Sequence, residues 1–434
     1  MDHLAKQSNA LNSEASLRSG SLSASLSNQD HQQYRQLIFS ILTHLTDSQL
    51  TIVEGKHRRI FGEDNAPLKG QITIHDSSFF KDMIFNGSIG AAEAYIDAKW
   101  SSPNLTALIQ IMARNQTQLD QIESKTRWIS SIKNWWLRRQ NLNSETGSKR
   151  NILAHYDIGN ELYQRFLDPS MLYSSAIYSQ ETADLAAAQQ YKMQLICQRL
   201  ELQPTDSVIE IGTGWGGLAI YMAQHIGCHV TTTTISDAQF DYAQQQVKQW
   251  GLEDKITLLK QDYRLLEGQY DKLVSIEMIE AVGHEYLPTF FTQCSQLLKP
   301  SGKMLLQSIT IADSRYHQYR QNVDFIQKYI FPGGCLPSIA EMSKHIATST
   351  DMVVDEIQDI GLHYARTLND WNQAFQSSWS ELEQLGYKQE FKRLWQFYLC
   401  YCEGAFMERV ISTHHVMARK PRYMSPNDAS ILDY

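Results

Sequence analysis

Glu210-Ile211-Gly212-Thr213-Gly214-Trp215-Gly216-Gly217 joins a short apolar run to a longer amphipathic one. Upstream, Ser207-Val208-Ile209 leads into it with the composition of a buried strand, and downstream residues 218–226 have the look of a helix. An acidic residue therefore ends a strand and glycines turn the chain into a helix. Glycine suits such a turn because it reaches φ values that side chains disfavour and lets a ligand approach bare backbone. The spacing is GxGxG rather than the GxGxxG of dinucleotide folds. Behind Glu-Ile and ahead of a helix, it points to S-adenosylmethionine (SAM) as the ligand.

Outward from this turn the chain alternates. Strand-like runs at 229–233, 256–259, 272–276 and 303–307 are separated by helical patterns such as 238–250. That alternation predicts an α/β fold with a mostly parallel sheet and helices on both faces. Residues 411–418 are expected to close the sheet antiparallel at one edge.

The remaining length asks for more than one domain. At roughly 150 residues each, 434 residues suggest two or three. Residues 1–30 are serine-rich and polar, and are expected to be a disordered tail. Residues 31–122 mix a helical stripe (Leu37, Ile38, Ile41, Leu42, Leu45), an alternating run Gln71-Ile72-Thr73-Ile74-His75 and helical patterns at 90–95 and 105–113. They predict a small α+β domain. Within 123–150, Trp128, Ile129, Ile132, Trp135 and Trp136 form one apolar stripe among Lys125, Lys133, Arg138 and Arg139. Such a helix suits an anionic bilayer surface, though a linker helix packed on a neighbouring domain is the more usual reading of an apolar stripe. Lys56, Arg58 and Arg59 form a second small basic cluster, with a solvated patch as the plain alternative.

Composition excludes several classes. Hydrophobic residues at 42% and charged residues at 20% describe a globular chain, not a collagen or coiled coil. A net charge of −8 disfavours bulk binding to nucleic acid. The six cysteines form no CxxC pair, which argues against a zinc cage or disulfide framework and fits a reducing cytosol. No metal site is expected. No leader pattern and no spanning apolar run are visible, so a cytoplasmic location is expected.

The second strand ends in Thr233-Thr234-Ile235-Ser236, without the acid that usually holds the ribose of SAM. A hydroxyl and the amide of Gln239 are expected to take its place. After the third strand, Gln261-Asp262-Tyr263-Arg264 sets an aromatic ring beside polar groups, which suits adenine.

Several motifs together resemble the cyclopropane-fatty-acyl-phospholipid synthase family, which includes the mycolic acid cyclopropane synthases. They are Ala154-His155-Tyr156-Asp157-Ile158-Gly159-Asn160-Glu161-Leu162-Tyr163, residues 166–174, the glycine turn, residues 261–264 and Met278-Ile279-Glu280-Ala281-Val282-Gly283. The insert Lys328-Tyr329-Ile330-Phe331-Pro332-Gly333-Gly334-Cys335-Leu336-Pro337-Ser338 and Cys402-Glu403-Gly404-Ala405-Phe406 complete the set. The resemblance runs over about 150–420 and more weakly back to about 75. It implies a seven-stranded SAM-methyltransferase domain over 151–425 with acyl-pocket inserts, and a lipid-related N-terminal domain. The implied reaction moves a methyl or methylene carbon from SAM to a cis double bond of an unsaturated phospholipid acyl chain. It also implies transient contact with the inner face of a membrane, and leaves a homodimer open.

By the same resemblance Tyr173 and Ser174 would cover the sulfonium, and Glu210, Gly212, Gly214 and Gly216 would carry the methionine and ribose. Thr234, Ile235 and Gln239 would lie on the ribose side, and Tyr263 and Arg264 on the adenine. The family holds a bicarbonate ion as proton acceptor with a glutamate, a histidine, a tyrosine and the backbone at a cysteine. Glu280 and Tyr364 match two of these. Ser175 stands where the cysteine would be, and Gln307 where the histidine would be. Gln307 can donate to an anion but carries no charge, so methyl transfer is better supported than ring closure. Cyclopropane, methyl-branched, methylated-alkene and hydroxylated products all remain open.

An alkene is a weak nucleophile, so the methyl must be held in line with it. The cation that follows needs aromatic faces; Tyr156, Tyr173, Tyr329 and Tyr364 are the candidates. Cys402 matches a cysteine sometimes treated as active, though the sequence shows nothing to lower its pKa, and a buried structural thiol is the simpler reading. Glu403 fits a pocket or a surface equally. The rival functions are a methyltransferase for a small soluble nucleophile and an inactive SAM- or acyl-binding relative.

Overall fold

The computed structural model describes residues 32–116, 159–181 and 184–425. The expected tail at 1–30, the basic stripe at 123–150 and Tyr156 lie outside these residues. The chain divides into two compact units, one running to Ser130 and one from Ser131.

The first unit has a helix over 32–42 and a four-stranded sheet. The strands are β1 (Ser48–Glu54), β2 (His57–Gly62), β3 (Leu68–Ile74) and β4 (Trp100–Ser101), in the order β2-β1-β3-β4. A tight turn at Gly55 (φ +57°) folds β2 antiparallel onto β1. The parallel β3 buries Ile72 and Ile74, as the alternation at 71–75 predicts. Helices Ser78–Ile96 and Leu105–Arg114 contribute Phe79, Phe80, Leu108 and Ile111 to the core. The second helix starts where Asn104 accepts from the Ala107 amide at 2.9 Å.

The second unit is built on seven strands: β5 (Ser207–Ile211), β6 (His229–Thr233), β7 (Ile256–Leu259), β8 (Tyr270–Ile276), β9 (Leu298–Ile311), β10 (Val353–Asp359) and β11 (Ile411–Arg419). Their order is β10-β11-β9-β8-β5-β6-β7. Strands β5 to β9 run parallel, and β11 is antiparallel to both β9 and β10. The edge position expected of 411–418 is therefore taken by β10. Its sequence, Val353-Val354-Asp355-Glu356-Ile357-Gln358-Asp359, is mostly exposed and carries charges, as an unpaired edge requires.

Alternation along the strands supplies two cores. Ile209, Ile211, Leu273, Met304 and Leu306 face Phe290, Phe291, Cys294 and Leu297 of helix Leu287–Leu297, with Met342 and Ile346 of helix Ile339–Ser349. Val208, Val230, Val274 and Leu305 face Met193, Ile196 and Leu200 and the helix Gly217–His225. Helices thus cover both faces, and Cys197, Cys228 and Cys294 are core residues. All six cysteines are free thiols.

β5 pairs with β6 on one side and with β8 on the other. The chain order reverses there, so a crevice opens at the carboxyl ends of β5 and β8, where ligands of such sheets bind.

Candidate active site

The glycine turn lies at that crevice. Gly212, Gly214 and Gly216 all have positive φ, at 103°, 54° and 92°. A Cβ on Gly212 would stand 3.2 Å from the Met278 side chain, and one on Gly216 would stand 3.2 Å from Ala243. A Cβ on Gly214 would meet nothing within 4 Å. Gly212 and Gly216 are thus needed for packing, while Gly214 presents bare backbone to open space. Beneath them Glu210 is buried and accepts from Thr232 at 2.6 Å. Because that hydroxyl donates to Glu210, it accepts from Thr213, 2.7 Å away. Burial pushes the Glu210 carboxyl up to about 8, with Thr232 opposing.

At the end of β6, Thr234 donates to the Gln239 carbonyl oxygen at 2.9 Å, and both side chains are buried. Ser236 caps the helix that carries Gln239. Ile235, between them, is partly buried. After β7, Arg264 is held by Asp262 in a two-pronged ion pair, with Nε and Nη2 at 2.8 and 2.6 Å from its oxygens. Arg264 is therefore committed to its neighbour, and its guanidinium lies 5.6 Å from the ring of the partly buried Tyr263, which stands edge-on to Phe290.

The residues matched to the bicarbonate site converge on a side chain that sequence reasoning did not select. The Ser175 amide and the Gln307 amide nitrogen donate to one oxygen of Glu277, at 2.9 and 2.8 Å. The Tyr364 hydroxyl donates to the other at 2.8 Å. Glu280 lies apart from this set. One of its oxygens accepts from the Ile309 amide, and the other is buried without a hydrogen-bond partner. Burial first, and then the charge of Glu277, push the Glu280 carboxyl up to about 8.

Gln307 is itself oriented. Arg199 has only donors, so the His415 Nδ1 at 3.2 Å must accept. His415 Nε2 therefore carries the proton and donates to the Gln307 carbonyl oxygen at 2.9 Å. This leaves the Gln307 NH2 pointing at Glu277 and at the Ser175 carbonyl. Burial and the nearby Arg199 hold the His415 imidazole neutral, with its pKa lowered to about 3.

Ser174, beside Ser175, accepts from the Lys192 ammonium at 2.7 Å, and its carbonyl accepts from Gln189 at 2.9 Å. Lys192 is fully buried, and desolvation lowers it to about 8 against the charges of Glu277 and Asp168. On a helix, a lysine at such a position looks like a surface residue, and nothing in the sequence marks it.

Aromatic rings close the other side. Tyr173 lies 5.2 Å from Trp371 and 5.3 Å from Tyr163, centroid to centroid, and its hydroxyl is 2.8 Å from that of Tyr398. Tyr364 stacks on Phe406 at 4.6 Å and stands edge-on to Trp371 at 5.9 Å. Phe331 of the predicted insert reaches Tyr173. Tyr329, a candidate for this wall, instead packs on Phe325 and is 37% exposed. Trp371 was missed, although Leu368, Trp371 and Phe375 share one buried face of their helix at spacings that could have revealed it.

Burial pushes the Cys402 thiol well above its ordinary range, so it is a poor nucleophile at neutral pH. Glu403 is buried and accepts from Asn369 at 3.0 Å, which places it in the interior.

This sheet, with a bare-backbone turn after its first parallel strand, defines a SAM-dependent methyltransferase. Residues 143–416 match the family model described as mycolic acid cyclopropane synthetase. The cyclopropane-fatty-acyl-phospholipid synthase of Escherichia coli is 36% identical over 356 residues, covering 81% of this chain and 88% of its own. Tuberculostearic acid methyltransferase UfaA1 of Mycobacterium tuberculosis is 35% identical over 328 residues, covering 74% and 76%. Among solved structures, the M. tuberculosis cyclopropane synthase MmaA2 superposes with a TM-score of 0.58 at 27% identity, over 63% of this chain and 98% of that one. Mycolic acid cyclopropane synthase CmaA1, solved with SAH and CTAB, gives 0.58 at 28% identity over the same shares. The chain belongs to the mycolic acid cyclopropane synthetase family.

SAM is the cofactor, and the residues fit it. Gly214 leaves the space a ligand needs, and Gln239 and Tyr263 follow the next two parallel strands of the sheet. When bound, SAM supplies an electrophilic methyl group. Bicarbonate fits poorly: the donors matched to it, Ser175, Gln307 and Tyr364, already serve Glu277.

Proposed function

We propose that this enzyme transfers a one-carbon unit from SAM to a cis double bond in the acyl chain of an unsaturated phospholipid. The supporting observation is the pairing of an aromatic wall with a carboxylate: Tyr173, Trp371 and Tyr364 on one side, and Glu277 within hydrogen-bonding reach of Tyr364. Methyl transfer to an alkene leaves a carbocation. Ring faces stabilise that cation and a carboxylate can take its proton.

Two relatives with nearly the same identity are named for different products, a cyclopropane-bearing phospholipid and tuberculostearic acid. Ring closure is thus a finer part of the proposal than methyl transfer. Tyr173 and Ser174 would cover the sulfonium, Glu210 and the three glycines would carry the methionine and ribose, and Thr234, Ile235, Gln239 and Tyr263 would line the nucleoside. No described helix is long and apolar enough to cross a membrane. The acyl chain would be taken up during transient contact with a bilayer surface, on its cytoplasmic side.

The test is to incubate the enzyme with SAM and vesicles of cis-monounsaturated phospholipid, then release and analyse the acyl chains. A gain of one CH2 by mass spectrometry supports the reading, and NMR separates a cyclopropane from an isomeric methylated alkene. Chains left unmodified would overturn it.

A further inference from the structure

Glu277 follows β8 directly and adopts φ +50°. That left-handed conformation favours glycine, and a glutamate there costs of order 1 kcal/mol. The strain is held in place by the Glu277 amide, which donates to the Gln307 carbonyl at 2.7 Å. A chain that tolerates a strained glutamate at a glycine-favouring position is using its side chain. That side chain is partly buried, accepts from Ser175, Gln307 and Tyr364, and lies in the field of the buried Lys192. Desolvation raises its pKa above the ordinary carboxylate range, while these partners oppose the rise. The result is a base stronger than a free carboxylate, with three donors aimed at its oxygens.

We propose that the Glu277 carboxylate is the proton acceptor of the reaction, standing where the family resemblance puts a bicarbonate ion, so that turnover by this enzyme does not need bicarbonate. The inference rests on the proposed function. The three donors that would bind the ion are spent on Glu277. A second anion beside Glu277 would meet like charge, with these three donors already taken.

The step balances without an oxidant or reductant. The alkene π pair forms the new carbon–carbon bond as the carbon–sulfur bond breaks, and its electron pair stays on sulfur as a neutral thioether. The neighbouring chain carbon is left cationic. Glu277 removes a proton from the cation, and the C–H pair forms the last bond. If the proton comes from the transferred methyl, that bond closes a cyclopropane. If it comes from a chain carbon, the bond is a new double bond. Gln307, oriented by His415, and Tyr364 hold the carboxylate and are positioning residues.

The experiment compares wild type, Glu277→Gly and Glu277→Gln in carbonate-free buffer with and without added bicarbonate. Glycine relieves the backbone strain, so Glu277→Gly folds, and SAM calorimetry checks its site. Acyl product formation by wild type is expected to be unchanged, within about twofold, by bicarbonate. Glu277→Gly is expected to lose about 100-fold or more and regain part of it with bicarbonate. Glu277→Gln loses as much without rescue, because its amide still fills the place. A wild-type rate that falls without bicarbonate and returns with it would overturn the inference, as would a fully active Glu277→Gly without bicarbonate. Binding of 13C-bicarbonate read by NMR needs no turnover: only Glu277→Gly is expected to bind it. Wild type binding it equally well contradicts the inference even if every lipid tried proves not to be a substrate, an outcome that instead counts against the proposed function.

Discussion

The hydroxyl of Tyr364 donates to Oε2 of Glu277 at 2.8 Å, tying the first turn of helix Gly361–Ser377 to the end of β8. The two residues are 87 positions apart in the chain. A hydrogen bond to a charged group contributes about 1.5–3 kcal/mol. Tyr364→Phe keeps the ring that stacks on Phe406 and removes only the donor. Its kcat should fall by about 10- to 100-fold with KM for SAM unchanged, measured by steady-state kinetics. An unchanged kcat would remove Tyr364 from the chemistry.

Gly214 turns at φ +54° beside open space. Gly214→Ala adds backbone strain of about 1–2 kcal/mol and a methyl group where SAM approaches. The methyl group should reduce SAM affinity by about tenfold, a loss of about 1.4 kcal/mol of binding read by calorimetry, and the strain should cost a modest amount of melting temperature.

Glu210 and Glu280 both have carboxyls raised from 4.5 to about 8 by burial. A group that binds its proton more tightly folded than unfolded stabilises the fold most at low pH. Their contribution therefore diminishes as pH rises from 4.5 to about 8. Without SAM, urea unfolding should show stability falling across this window. Glu280→Gln, which removes a buried oxygen lacking a donor, should flatten the slope and add about 1–3 kcal/mol near the upper end.

Cys402 carries a thiol that burial holds protonated. Cys402→Ala should keep kcat within about twofold, and the native thiol should resist alkylation at pH 7, since the thiolate is the reactive form. Loss of all product on this substitution, with SAM binding intact, would restore a covalent role.

Much of this architecture was legible because its causes are local. Strand β5 and the glycine turn are written in consecutive residues, and the helices of the second unit have regular spacing. The place of β11 was not legible, since the exposed, charged β10 becomes a strand only through the hydrogen bonds that β11 supplies. The carboxylate at the centre of the site escaped for a different reason. Glu277 and Glu280 sit in one short segment, and motif matching selects Glu280. Only the backbone angle at Glu277 and donors from three distant segments distinguish the two. Lys192 was hidden because burial of a lysine depends on packing that its own helix does not encode.

The most direct test of the account follows the methyl carbon itself. SAM labelled in its methyl group is given to the enzyme with vesicles of cis-unsaturated phospholipid, and in parallel with vesicles of the saturated analogue. The account predicts label in the released fatty acids of the first and none in those of the second. Label in the headgroup fraction, equal label in both lipids, or none in either would contradict it.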